Sequence, residues 1–193
     1  MPRQRRSNPS FLYLDVIRLN FRKLGVDFSH IRRYNLIRKR EGEQNKMAKA
    51  IYFDMDGTIA DLYAVENWLP KLRAYDPSPY AEALPLVRLS TLARLLNSLQ
   101  RKGYTLGIIS WCSKSSTAEY DRAVTAAKVE WLHHHLPSVE WNEIHIVAYG
   151  TPKQSLVNFP EGILFDDEER NRTAWTGTAH DVQNILEVLK GLK

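Results

Sequence analysis

The chain has 193 residues, 44% of them hydrophobic and 25% charged, which is one soluble domain with room for an extension. A lone cysteine, Cys112, excludes an internal disulfide and an all-cysteine metal site; no stretch of 18 apolar residues offers a membrane span, and no secretory leader is recognisable, so a reduced, cytoplasmic protein without membrane contact is expected. The formal charge of +5 is uneven: residues 1–46 carry 12 Lys and Arg against 4 Asp and Glu (+8), and the remaining 15 bases and 18 acids give −3.

Residues 1–46 therefore read as a basic N-terminal extension, and three readings of it stand. It is a basic arm for nucleic acid or another anionic surface. It is a helical accessory, since "FLYLDVIRLNFRKL" spaces Leu14, Ile17, Phe21 and Leu24 as one helix face. Or it is an over-extended start, because Met47 opens "MAKAIYFDMDGT" and "REGEQNKM" back-translates to a purine-rich stretch of the ribosome-binding type. Nucleic acid is an expected partner only on the first reading.

From Met47 onward strands and helices alternate. "KAIYFD" is a short buried strand. Residues 62–84 form a small insertion, with room for one helix in "AVENWLPKLRAY". "LSTLARLLNSLQRKG" repeats leucine at helical spacing (Leu89, Leu92, Leu96, Leu99), carries Arg101 and Lys102 in its last turn and stops at Gly103. "YTLGIIS" is the next strand. "SSTAEYDRAVTAAKVEWLHHHLP" is a helix in which Ser116 and Glu119 have capping-box spacing and Pro137 ends the run. "EIHIVAYG" and "GILFDD" are strands, and "DVQNILEVLKGL" is a closing helix. This order predicts an α/β fold with a mainly parallel sheet covered on both faces, in which ligands gather at the carboxyl ends of the strands.

Asp54 and Asp56 stand at the end of the first strand, Ser110 at the end of the second, Lys153 after the third, and Asp166 and Asp167 at the end of the fourth. Carboxylates brought that close repel and are costly unpaired. A divalent cation relieves them, and hard oxygen ligands with room for water and phosphate suit Mg²⁺. The lysine and the hydroxyl suit phosphate oxygens, and one carboxylate is left to attack phosphorus.

"DMDGT", the strand-end Ser110, Lys153 and "FDDEERN" resemble the four ordered motifs of the haloacid dehalogenase-like (HAD) hydrolases, over about residues 48–190. Response-regulator receivers use similar groups, but their acid pair comes first and their phosphorylated aspartate later, unlike the order here. The resemblance implies a Rossmann-like three-layer sandwich with a small lid insertion after the first strand. It implies Asp54 as nucleophile forming an aspartyl-phosphate. Asp56 is the acid and base that protonates the leaving alcohol and deprotonates water, with its backbone carbonyl on Mg²⁺. Ser110 would bond a phosphoryl oxygen and Lys153 would neutralise charge. Asp167 aligns with the metal-binding acid, and Asp166 is its direct or outer-shell partner. An acid two residues after the nucleophile marks the phosphatase branch. The expected function is a Mg²⁺-dependent phosphatase acting on a small phosphomonoester. Its rivals are a phosphotransferase, a polynucleotide-end phosphatase and a non-catalytic regulatory module.

"AVTAAKVEWLHHHLP", "IHIVAYGTPK" and "ILFDDEERN" resemble more narrowly the 5'(3')-deoxyribonucleotidase group, in which a lysine precedes a tryptophan by three residues, here Lys128 and Trp131. A nucleoside monophosphate is then the expected substrate. The lid of about residues 62–84 is short for enclosing one, so the site is open, or is completed by the extension or by another subunit. Trp111, Lys114 and Thr58 are candidate substrate-side residues, Thr58 more readily as a turn stabiliser. His133, His134 and His135 point to different helix faces and read as a solvated helix end, not a metal cluster. Cys112 reads as a buried thiol, Trp175 and Tyr149 as packing aromatics, Asp61 as a helix cap, and Asn171 as a support for the last acid-bearing loop.

Overall fold

In the computed structural model, residues 49–193 are described; the readings of the basic extension lie outside them. Five parallel strands form the main sheet: β1 (Ala50–Phe53), β4 (Thr105–Trp111), β5 (Glu143–Val147), β6 (Ile163–Phe165) and β7 (Thr178–His180), in the order β5-β4-β1-β6-β7. A separate antiparallel pair, β2 (Ala60–Asp61) and β3 (Leu84–Pro85), brackets the insertion. The helices are α1 (Trp68–Arg73), α2 (Ser78–Glu82), α3 (Leu89–Arg101), α4 (Ala118–His135), α5 (Glu169–Ala174) and α6 (Ile185–Gly191). This is a Rossmann-like α/β fold.

Alternation along β1 divides the core. Ile51 and Phe53 turn to one face, where Leu92, Leu96 and Leu99 of α3, Trp131 and Leu132 of α4, and Ile185 and Leu189 of α6 bury them. Ala50 and Tyr52 turn to the other, against Ile109, Leu164 and Trp175. Crossovers between parallel strands are right-handed. The steps from β1 to β4 and from β4 to β5 run one way across the sheet, so α3 and α4 share a face. The steps from β5 to β6 and from β6 to β7 run the other way, and among the described residues a single turn at Lys153–Ser155 and the six-residue α5 serve the second face.

Strand order also places the site. Chain connections diverge on either side of β1, and such a switch point opens a crevice at the strands' carboxyl ends. Register there is tight: Phe53 pairs with Ile108 and with Phe165, and the Asp54 amide donates to the Phe165 carbonyl at 2.9 Å.

Three local expectations are corrected. The cap of α4 is Thr117, whose hydroxyl accepts from the Tyr120 amide at 3.2 Å, one residue along from the Ser116 and Glu119 box. The insertion holds two short helices, α1 and α2, rather than one, because Pro77 restarts the chain after Tyr75 adopts a left-handed φ of 59°. The closing helix begins as a tight turn at Val182–Asn184, capped by Asp181, and becomes α-helical only at Ile185. Strand β7 was not foreseen.

Candidate active site

The loop after β1 is wound around one carbonyl. Met55 O accepts from the amides of Thr58, Ile59 and Ala60, at 3.1, 3.0 and 2.9 Å, and Gly57 takes a φ of +72° to close the turn. A Cβ at Gly57 would lie 2.5 Å from Asp167 Oδ2 and 2.6 Å from the Tyr63 ring, so the glycine lets the first loop meet the last. Thr58, almost wholly buried, completes that junction: its hydroxyl accepts from the Asp167 amide at 3.2 Å. It ties two acid-bearing loops together and does not line an open surface.

Asp54, Asp166 and Asp167 converge, each offering a carboxylate oxygen within 4.8 Å of the others. They are not equivalent. Asp166 is fully buried and saturated: Oδ2 takes Lys153 Nζ at 2.6 Å, Oδ1 takes the Glu168 amide at 2.9 Å, and Asn171 Nδ2 reaches both oxygens. Asn171 thus supports the loop as expected. Asp54 Oδ1 lies 3.2 Å from Lys153 Nζ in charge contact, yet has no well-formed hydrogen bond. Asp167 Oδ1 is likewise buried without a partner. Burial, then the charges of Asp54 and Asp166, push the Asp167 carboxyl up to about 7. Arg172, which the sequence reading missed, donates to the carbonyls of Asp166 and Asp167 at 2.7 and 2.6 Å and fixes the loop from behind.

The carboxylate of Asp56 stands apart from this triplet. Its Oδ2 accepts from Lys128 Nζ at 2.6 Å, and Lys128 also donates to Ser110 Oγ at 2.9 Å and to the Trp111 carbonyl at 2.7 Å. Burial raises the Asp56 carboxyl above the ordinary carboxylate range against the pull of Lys128. On Lys153, burial works against the charge but Asp54 and Asp166 outweigh it, so the ammonium is held firmly. When ionised, the three converging carboxylates set against the one ammonium they share, Lys153, leave 3 − 1 = 2 negative charges. One divalent cation matches that surplus, and the unpartnered oxygens of Asp54 and Asp167 are where it fits.

Aromatic groups flank the acids. Tyr63 packs beside Gly57, and burial followed by the charge of Asp167 raises its phenol strongly. Trp111 lies with its ring 5.1 Å from Lys153 Nζ and 5.1 Å from the ring of Tyr149, and the Arg170 guanidinium sits over it at 4.6 Å. Lys114 is exposed and lines a separate cavity of about 320 Å³ with Arg73, Tyr75 and Ser113. The remaining candidates take quiet roles. Asp61 caps the turn at Leu62–Ala64. Cys112 is buried, its thiol raised to about 11 by burial, and Trp175 is core. His133 and His134 are exposed at the end of α4, and His135 rests on Trp131.

The lid is anchored to the core. Tyr120 of α4 donates through its hydroxyl to the Asp76 carbonyl at 2.9 Å, and Trp131 donates to the Ala83 carbonyl at 2.7 Å. Leu62, Leu72 and Tyr80 share a cluster with Cys112, Tyr120 and Val124. Among the described residues, no helix is long and apolar enough to cross a membrane.

No protein-family model matches the chain, and no curated protein does. Among solved structures, the chain is similar to D,D-heptose 1,7-bisphosphate phosphatase from Burkholderia Thailandensis, at 17% identity over 65% of this chain and 70% of that one, with a TM-score of 0.41. That likeness is too distant to carry a function across.

Proposed function

We propose that the chain is a HAD-type phosphatase that hydrolyses a small phosphomonoester through an aspartyl-phosphate at Asp54, with Mg²⁺ as cofactor. One observation carries the reading. A buried triplet of acids holds two oxygens without hydrogen-bond partners, beside a buried lysine and a separately tethered fourth acid. Such an arrangement is expensive as mere structure. It suits a site where a cation and a phosphate complete the partnering.

Asp54 and Asp167 would hold the ion, with the Asp56 carbonyl, while Asp166 keeps Lys153 in place. The ion, when bound, would draw charge from the phosphate oxygens. Asp54 Oδ attacks phosphorus, and the bond from phosphorus to the ester oxygen breaks. Asp56 gives its proton to that oxygen, and the alcohol leaves. Asp56 then takes a proton from water, whose oxygen attacks phosphorus and frees the Asp54 carboxylate and inorganic phosphate. Ser110 donates to a phosphate oxygen, and Lys153 offsets its charge.

The resemblance carried by Lys128 and Trp131 favours a nucleoside monophosphate as the substrate, while Trp111 is already packed with Lys153, Arg170 and Tyr149 beside the acids. The exposed Lys114 is a candidate for a more distant polar contact. The test is a screen of the full chain with Mg²⁺ over nucleoside monophosphates, sugar phosphates and oligonucleotide ends. Release of phosphate from nucleoside monophosphates ahead of sugar phosphates is expected. Preference for sugar phosphates would remove the nucleotidase reading, and no release from any of them would remove the phosphatase reading.

A further inference from the structure

Lys128 is a charged side chain with no solvent exposure, in the middle of α4. Burying an ammonium costs several kcal/mol unless its hydrogens are all placed. Here they are: its acceptors are Asp56 Oδ2, Ser110 Oγ and the Trp111 carbonyl. An ammonium has three donors, so none remains for a substrate phosphate. The fourth side faces the Tyr80 ring of the lid, 4.7 Å away. Lys128 therefore cannot act by gripping substrate, and its charge acts through the groups it holds.

Resting on the phosphatase reading above, we propose that Lys128 is a positioning residue that sets the Asp56 carboxylate and the Ser110 hydroxyl for transfer of the leaving group. Two consequences of its hydrogen bonds support this. Holding Oδ2 of Asp56 keeps that carboxylate out of the triplet of Asp54, Asp166 and Asp167, and leaves Oδ1 to exchange a proton with the ester oxygen. Donating into Ser110 Oγ occupies one lone pair, so the hydroxyl's own hydrogen points away from Lys128 and is available to a phosphate oxygen. Two lysines thus divide the site: Lys153 serves the nucleophile with Asp54 and Asp166, and Lys128 serves the proton donor. Because Lys128 also meets Tyr80 of α2, the placement of the acid is coupled to the seating of the lid.

The test compares wild type, Lys128→Met, Asp56→Asn and the double variant on aryl phosphates whose leaving groups run from dinitrophenol to phenol, with an alkyl phosphate added. The readout is kcat/KM, which reports only the steps up to formation of the aspartyl-phosphate. A dinitrophenolate leaves without a proton; an alkoxide does not. Lys128→Met is expected to change kcat/KM little for dinitrophenyl phosphate and to lower it by about 10²-fold or more for phenyl and alkyl phosphates, as expected for loss of general-acid catalysis. Asp56→Asn should show the same slope, and the double variant should fall no further than Asp56→Asn alone. Where the methionine variant does not fold, Lys128→Gln keeps a shorter donor and should show a weaker form of the same slope. A loss equal across all leaving groups, as general loosening of the core would give, overturns the role of Lys128. So does a double variant whose losses multiply. Absence of Asp54-dependent turnover in the wild type overturns the phosphatase reading and this role with it, which separates the two failures.

Discussion

Asp54 and Asp56 stand one residue apart and meet different partners, Asp54 beside Lys153 and Asp56 beside Lys128. Replacing each by asparagine preserves volume and should separate their roles. Asp54→Asn, a poor nucleophile, is expected to abolish turnover of p-nitrophenyl phosphate with no loss of folded structure by circular dichroism. Asp56→Asn should slow turnover by about 10²–10⁴-fold. Asp167 supplies a pH dependence. Its folded pKa of about 7 lies above the ordinary value of 3.8. Its contribution to stability in the metal-free protein is thus complete below the lower value and is lost as pH rises towards the upper one. A cation must displace that proton, so Mg²⁺ affinity should weaken as pH falls below about 7. Calorimetric titration at pH 8 and pH 6 checks this, and equal affinities would contradict it. The acids and Ser110 were legible because they stand at strand ends, and Lys153 because it follows the next strand in the loop beyond β5. The partnership of Lys128 was not, since Asp56 lies 72 residues away and a helix with charged residues along its length gives no local sign of which one turns to the site.

At the scale of elements, the tight loop after β1 is the least replaceable piece. Gly57→Ala would put a Cβ against Asp167 Oδ2 and force a left-handed alanine. Strain alone costs about 1–2 kcal/mol, and the clash displaces Asp167, the acid proposed to hold the ion. Both a lower melting temperature and weaker Mg²⁺ dependence are expected; wild-type behaviour in both would contradict the role given to this junction. The lid is a milder case. Tyr120→Phe removes the hydroxyl's bond to the Asp76 carbonyl, a loss of about 1 kcal/mol. Thermal unfolding should fall by about 2–4 °C per kcal/mol for a chain of this size, and KM should rise more than kcat falls. Four strands and the long helices could be read from hydrophobic runs because burial on one or both faces writes them plainly. Strand β7, "TAH", could not: three residues at a sheet edge, one of them exposed, make no run. The division of the lid into α1 and α2 depends on a left-handed turn at Tyr75, a residue that seldom adopts positive φ, so nothing local announced it.

For the whole molecule, every group assigned to the chemistry lies between Asp54 and Arg172, and the charge of the described domain is set apart from the basic stretch before it. A protein beginning at Met47 is accordingly expected to fold and to turn over p-nitrophenyl phosphate like the full chain. Loss of activity would show that residues 1–46 complete the site. Loss of salt-sensitive binding to oligonucleotides, with activity retained, would identify them as a basic arm. The central claim is covalent catalysis at Asp54, and the direct measurement is to trap the intermediate. Enzyme mixed with a phosphomonoester and Mg²⁺ is quenched and reduced with borohydride, which converts an acyl phosphate to the alcohol, and the peptides are read by mass spectrometry. Conversion of Asp54 to homoserine, dependent on both substrate and Mg²⁺, is the predicted result. Turnover by the Asp54→Asn variant, or reduction at a different carboxylate, would contradict it.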